Sequence, residues 1–311
     1  MVFDIPNFTL YNGKKIPGIS FGSGSAWRLQ KIEKGQDVNT LSEELVEAVK
    51  NAIDAGFTHL DTAEIYETHR EICEGIKRSG VDRTKLQITS KYLPGYRGKR
   101  AISKTGPYEA INTALKQLET DYIDYYYIHN PFFDPDWTYG VTVEEAWSQM
   151  ERAYEEGLVK SIGVSNFDIE FYEKVLAVCK VKPMLLQVEM HPYCYNQRPG
   201  IVEFAKTHGA QVVAYGSLTP ILKVPDGPLT PILGQLANKY NKTKAQILLR
   251  WIFQNGVVPL TTSGKPERLR QALEIFTFEM SNQEIELITK VGATHPFRAY
   301  LELEWGKYTY Q

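Results

Sequence analysis

Short runs of apolar and β-branched residues recur along the chain, separated by longer stretches whose apolar positions fall every three to four residues. The short runs are GISFG, FTHLD, LQITS, YIDYYYIH, KSIGVS, MLLQVEM, QVVAYG and VVPLTT, eight in all. Runs of this length with this composition predict strands, and the longer spacing predicts amphipathic helices. The stretch SEELVEAVKNAIDAG shows the helical spacing and stops at Gly56, a residue suited to the left-handed cap that ends a helix. Thr40 with Glu43, Thr142 with Glu145, Thr243 with Gln246 and Ser281 with Glu284 have the capping-box spacing that opens one. Ahead of the alternation, FTLYNGKKIP (8–17) places Asn12-Gly13 between two apolar runs, which predicts a tight β-hairpin.

Strands alternating with helices imply a parallel sheet joined by right-handed crossovers. Eight units in 311 residues fit a closed (β/α)8 barrel, a TIM barrel of the α/β class, better than an open doubly wound sheet. The doubly wound alternative also lacks its glycine fingerprint. GSGSAW (22–27) is G-x-G-x-x-W and reads as a βα loop that opens no helix promptly. The hairpin is then expected outside the repeat, plugging the barrel's lower mouth. No linker or shift of composition divides residues 1–311, so one domain is expected, with irregular loops at 216–231 and 293–311 near the upper mouth.

The net charge of -2 offers no basic surface for nucleic acid or an anionic membrane. No apolar run has membrane-spanning length, and the N-terminal MVFDIPNFTL lacks a signal-peptide layout. Three cysteines without paired spacing (Cys73, Cys179, Cys194) argue against a disulfide framework and for a reducing cytosol. His191 and Cys194 offer one metal-ligand pair without a second, so no metal is expected. Nothing forces association, and a monomer is the default.

In a barrel of this kind, chemistry gathers where the strands end. The second run ends at Asp61 with Tyr66 just beyond, the third at Lys91, the fourth at His129. The fifth ends at Ser165-Asn166, the sixth carries Gln187, the seventh Tyr215, and the eighth leads to Thr262-Ser263. Singly, each has a plain explanation as a cap, a buried aromatic or a solvated end. Together, an acid, an ammonium, an imidazole and a phenol at one mouth favour a catalytic reading over packing.

The motifs LDTAEIY, SKY, IHNP, GVSNF, LLQVEMHP and AYGSL, in this order, resemble the aldo-keto reductase superfamily along essentially the whole chain. SKYLPG, IHNPFF, LLRW and PLTTSGKPERL resemble most the fungal NADPH-dependent α-keto amide and conjugated polyketone (ketopantoyl lactone) reductases. The resemblance implies NADPH bound in extended form and a tetrad of Asp61, Tyr66, Lys91 and His129. Tyr66 would be the proton donor, its phenol acidified by the Lys91 ammonium. Asp61 would keep that ammonium charged, and His129 would hold the substrate oxygen. The same resemblance implies that Ser165, Asn166 and Gln187 bind the nicotinamide amide and Tyr215 stacks on its ring. It places Gly24, Ser25, Ser217, Leu218, Thr262 and Ser263 along the cofactor, with Lys265 and Arg268 at the 2′-phosphate. Gly216, Ala272 and Asn130 depart from residues common in the wider family. Trp27, Tyr92, Asn130 and Phe132 are the expected pocket walls, with Phe133, Tyr300 and Trp305 behind them. Aromatic walls with few charges suit neutral ketones and aldehydes. The rival readings are a cofactor-binding regulatory module like the potassium-channel β subunits, and a xylose or uronate reductase.

Overall fold

The structure is a computed structural model that describes residues 3–37, 40–195 and 200–305. Eight parallel strands close into a barrel. In chain order they are Ser20–Gly22, His59–Asp61, Gln87–Tyr92, Tyr125–Ile128, Ile162–Ser165, Leu185–Glu189, Gln211–Tyr215 and Val258–Thr261. Each pairs with its chain neighbours, and the eighth returns to the first through Leu260↔Ser20 and Thr261↔Phe21. Every predicted strand is present, and the (β/α)8 reading holds.

Period-two alternation sorts the strand side chains into two apolar clusters. Tyr125, Tyr127, Leu185, Val213 and Val258 point inward and pack with Leu10 and Ile16 of the hairpin. Tyr126, Ile128, Leu186, Val188, Val212 and Ala214 point outward into the cluster formed with the surrounding helices. The hairpin strands Asn7–Thr9 and Lys15–Pro17 turn through Gly13 at φ 80°. The Tyr125 hydroxyl donates to the Lys15 carbonyl at 2.6 Å, tying the hairpin to the barrel interior.

Helix ends follow the expected chemistry with one displacement. Thr142, Thr243 and Ser281 each form a reciprocal capping box. Thr40 does not: helix Glu43–Ala55 is capped by Ser42, which accepts from the Leu45 amide. Gly56 ends that helix at φ 116°. The reading of GSGSAW as a plain loop is also corrected, because a helix begins at once and spans Ser25–Glu33. Its buried Lys31 donates to the buried Glu71 at 2.7 Å, so a tertiary ion pair holds a segment with weak periodicity of its own. A small hairpin, Gly95–Tyr96 with Lys99–Arg100, rises beyond the third strand without having been foreseen.

Candidate active site

Alternation decides what reaches the mouth. Asp61, Lys91, Gln187, Glu189 and Tyr215 share the inward parity of their strands, and His129 continues that of Tyr125 and Tyr127. Lys91 is fully buried. Its ammonium donates to Asp61 Oδ1 at 2.6 Å and to the Thr62 carbonyl at 2.9 Å, and lies 5.1 Å from the centre of the Tyr66 ring. Burial lowers the Lys91 pKa from its ordinary value, and the neighbouring Asp61 opposes that shift by favouring the charged form.

Tyr66 sits on the turn Glu64–Tyr66, which follows the second strand. Glu64 steadies that turn from beneath, accepting from the Ser103 hydroxyl at 2.5 Å and the Leu93 amide at 3.4 Å. The Tyr66 hydroxyl shares a 3.2 Å hydrogen bond with His129 Nε2, the two rings standing nearly perpendicular at 82°. Burial pushes the His129 pKa well down, with Lys91 adding to the effect, so the imidazole is neutral near pH 7. Burial, then the charge of Asp61, raises the Tyr66 pKa well above its ordinary value, while the Lys91 ammonium lies over the phenol ring.

Asp61, Tyr66 and His129 line a cavity of about 460 Å³, with Lys91 directly behind them. Gly24, Trp27, Asn130, Asn166, Gln187, Tyr215, Ser217, Leu218 and Thr262 line it too. Several of these are engaged with one another. Gln187 Nε2 donates to Asp61 Oδ2 at 2.9 Å, so both carboxylate oxygens are used. Asn166, at φ 62°, donates to the His129 carbonyl at 2.9 Å and to the Ser165 hydroxyl at 3.1 Å. It accepts from the Tyr215 hydroxyl at 2.7 Å. The Ser217 hydroxyl is turned to the Ala214 and Leu260 carbonyls. Trp27 Nε1 donates to the Thr262 hydroxyl at 3.0 Å, bridging the first and eighth βα segments across the rim.

Other expected residues stand elsewhere. Tyr92 is not a pocket wall: one position after inward-facing Lys91, it points outward and is fully buried in the shell cluster. Phe132 stays out of the cavity, stacking on Tyr96 at 6.2 Å and meeting Trp305 at 5.5 Å. Asn130 lines the cavity while shaping its own loop, donating to the Gly95 carbonyl and accepting from the Phe132 amide. Ser165 is buried against Asn166 and does not line the cavity. The Ser25 side chain lies outside the described residues. Ser263, Lys265 and Arg268 do not line the cavity; they follow the eighth strand, and the Ser263 hydroxyl accepts from the Lys265 amide at 3.0 Å. Lys265 and Arg268 are exposed at the start of helix Pro266–Leu273, without an ion pair among the described residues.

Sequence reasoning did not single out Lys223, the one Lys or Arg on the cavity wall among the described residues. It follows the short helix Thr219–Leu222, inside the stretch read as irregular. Tyr300, only a weaker candidate, and Leu301 close another side. The donor set around the cavity suits an anionic aromatic dinucleotide: an aromatic side chain at Tyr215, side-chain amides, hydroxyls and an ammonium.

Comparisons with known proteins agree with this architecture. The model of the family described as "Aldo/keto reductase family" matches residues 26–293. The NADPH-dependent alpha-keto amide reductase of Saccharomyces cerevisiae is 38% identical, covering 100% of this chain and 98% of that protein. The NAD/NADP-dependent indole-3-acetaldehyde reductase of Schizosaccharomyces pombe is 36% identical over 93% of this chain and 96% of its own length. Among solved structures, a Bombyx mori aldo-keto reductase in complex with NADP superposes with a TM-score of 0.79. It is 28% identical and covers 98% of each chain.

Proposed function

The chain belongs to the aldo/keto reductase family and is an oxidoreductase, and from that premise we propose that it reduces neutral ketones and aldehydes with NADPH. The substrate class we favour is α-keto amides, diketones or keto-lactones, with Tyr66 as proton donor. The observation that carries this reading is the Lys91–Asp61 ion pair lodged behind the Tyr66–His129 hydrogen bond in the cavity wall. The hydride for the carbonyl carbon would come from NADPH held in the cavity. Tyr215, Asn166 and Gln187 are the residues proposed to hold its nicotinamide end. Lys265 and Arg268, at a helix N-terminus and without an ion pair among the described residues, are proposed for its 2′-phosphate.

The chain's own groups account for the proton. The phenol of Tyr66 stays protonated through neutral pH and so has a proton to give. As it gives that proton up, the developing phenolate is stabilised by the Lys91 ammonium beside the ring, whose own charge Asp61 sustains. Neutral His129, with one nitrogen on the phenol, orients the hydroxyl toward the substrate oxygen. Apolar residues around these groups (Leu93, Leu260 and Leu301) exclude water and strengthen each of these interactions. Three cysteines outside any disulfide suit the reducing cytosol proposed as its location.

The test is NADPH oxidation followed by absorbance across a panel of diketones, keto-lactones, α-keto amides, aldoses and simple aldehydes. Turnover on the neutral dicarbonyls above that on aldoses supports the reading. Turnover below about one per minute on every compound would instead indicate a cofactor-binding module, far under ordinary enzymatic rates.

A further inference from the structure

The sixth strand ends in a second inward carboxylate that the reduction chemistry does not use. Glu189 is fully buried, and both of its oxygens are engaged. Oε1 accepts from the Ala299 amide at 2.8 Å and shares a hydrogen bond with His191 Nε2 at 2.9 Å. Oε2 accepts from the Tyr300 amide at 3.1 Å and has the buried Arg298 guanidinium at 3.6 Å. Glu189, His191 and Cys194 bring their donor atoms within 4.8 Å of one another, a spacing open to a metal ion. A guanidinium on the carboxylate repels a second cation, and two amides already fill its oxygens, so the cluster reads as an anchor.

What it anchors is the wall of the cavity. A carboxylate needing only a countercharge has Arg298 nearby; this one also takes two consecutive backbone amides from a segment 110 residues further on. Tyr300 and Leu301, immediately at that attachment, face the cavity. The Tyr300 ring stands edge-on to Tyr215, centroids 5.4 Å apart at 78°. Leu301 is held at φ 53°, a left-handed conformation that a branched side chain seldom adopts without surrounding support. Gly216, at φ 67°, makes room for this approach: a Cβ there would come within 3.3 Å of both Glu189 Cγ and the Tyr300 ring. The far end of the segment is attached differently. Arg97 grips Glu304 through two hydrogen bonds of 2.8 and 3.1 Å in partial exposure, and Trp305 packs on Phe132 and Phe171.

We infer that Glu189 is a positioning residue for substrate selectivity: its carboxylate fixes the 298–301 strap, so that Tyr300 and Leu301 form a set wall facing Tyr215. The consequence for selectivity rests on the reductase reading; the anchoring does not. Glu189→Gln keeps the size and loses the charge, leaving one carbonyl oxygen for two amides and removing the carboxylate beside Arg298. Hydrogen exchange of the full chain reads the anchor directly. The amides of Ala299 and Tyr300 are expected to exchange about tenfold faster in the variant, while Leu185–Val188 keep their protection. On a panel of dicarbonyls, the ratio of kcat/KM for a bulky aryl diketone to that for a small aliphatic one should change about tenfold.

A folded variant with unchanged exchange at Ala299 and Tyr300 overturns the anchor, and a released strap with an unmoved ratio overturns the role in selectivity. Should Glu189→Gln not fold, the unmodified chain decides. There the amides of Ala299 and Tyr300 should exchange about tenfold more slowly than those of Leu301 and Glu302, and equal rates overturn the inference. In that event Tyr300→Ala must shift the same ratio about tenfold, and an unmoved ratio overturns the wall's part in selection. If the unmodified chain reduces no carbonyl, the reductase reading fails and the exchange comparison still decides the anchor.

Discussion

Asp61 and Glu189 end the second and sixth strands, which stand across the barrel from one another. Both are buried carboxylates of inward parity at the same mouth. Their partners differ. Asp61 is met by side chains of neighbouring and facing strands, the Lys91 ammonium and the Gln187 amide. Glu189 is met by the backbone of a distant segment, with Arg298 as countercharge. On the proposed function, the carboxylate that keeps an ammonium beside the phenol tunes proton transfer, whereas the one that takes main-chain amides is inferred to set the position of a loop. The same residue class at the same barrel end therefore does different work according to what donates to it.

Removing the phenol proton should have the largest effect. Tyr66→Phe is expected to lower kcat by about 10²–10⁴-fold, the usual range for a positioned general acid, while NADPH still quenches tryptophan fluorescence. Near-normal turnover would detach the Asp61 side of the mouth from proton transfer. Next comes the ion pair itself. Asp61→Asn strands a buried ammonium, so urea unfolding should show a loss of about 3–5 kcal/mol, beyond what an exposed pair could yield.

Acid should weaken the fold through buried imidazoles. Burial drives His59 down to about 3 and His69 down to about 4, and lowers His191 beside Glu189 as well. Between an ordinary pKa of about 6.5 and those values the unfolded chain binds protons that the native chain does not. Stability is therefore complete above about pH 6.5 and lost as pH falls, by up to roughly 1.4 kcal/mol per pH unit for each such histidine. Urea midpoints at pH 7.5, 6.5 and 5.5 check this, and a flat series contradicts it. The smallest effect belongs to neither carboxylate. Arg268→Ala should raise KM for NADPH about tenfold and leave KM for NADH nearly unchanged, since one phosphate contact is lost. Equal changes with both cofactors would remove Arg268 from phosphate recognition.

Much of this was legible in the chain before folding. The runs ending at Asp61, Lys91 and His129 are strands, and period-two counting places all three side chains inside. The same counting, applied to Tyr92, would have sent it outward into the helical shell, where it is found. The helix Ser25–Glu33 was hidden because its apolar spacing is weak and a buried Lys31–Glu71 pair supplies what periodicity lacks. The small hairpin Gly95–Tyr96 with Lys99–Arg100 was hidden because strands of two residues are too short for any pattern.

The amino-acid order by itself determined the alternation of strand and helix, the hairpin at Asn12-Gly13 and the inward parity of the polar strand ends, because these depend on neighbours a few positions apart. Which donors each inward group meets was decided only in three dimensions. Gln187 reaches Asp61 across 126 residues, and Ala299 reaches Glu189 across 110. Such pairings have no local signature. They exist because barrel closure brings the ends of all eight strands to one mouth, where a buried carboxylate must find its hydrogen bonds among whatever the fold has carried there.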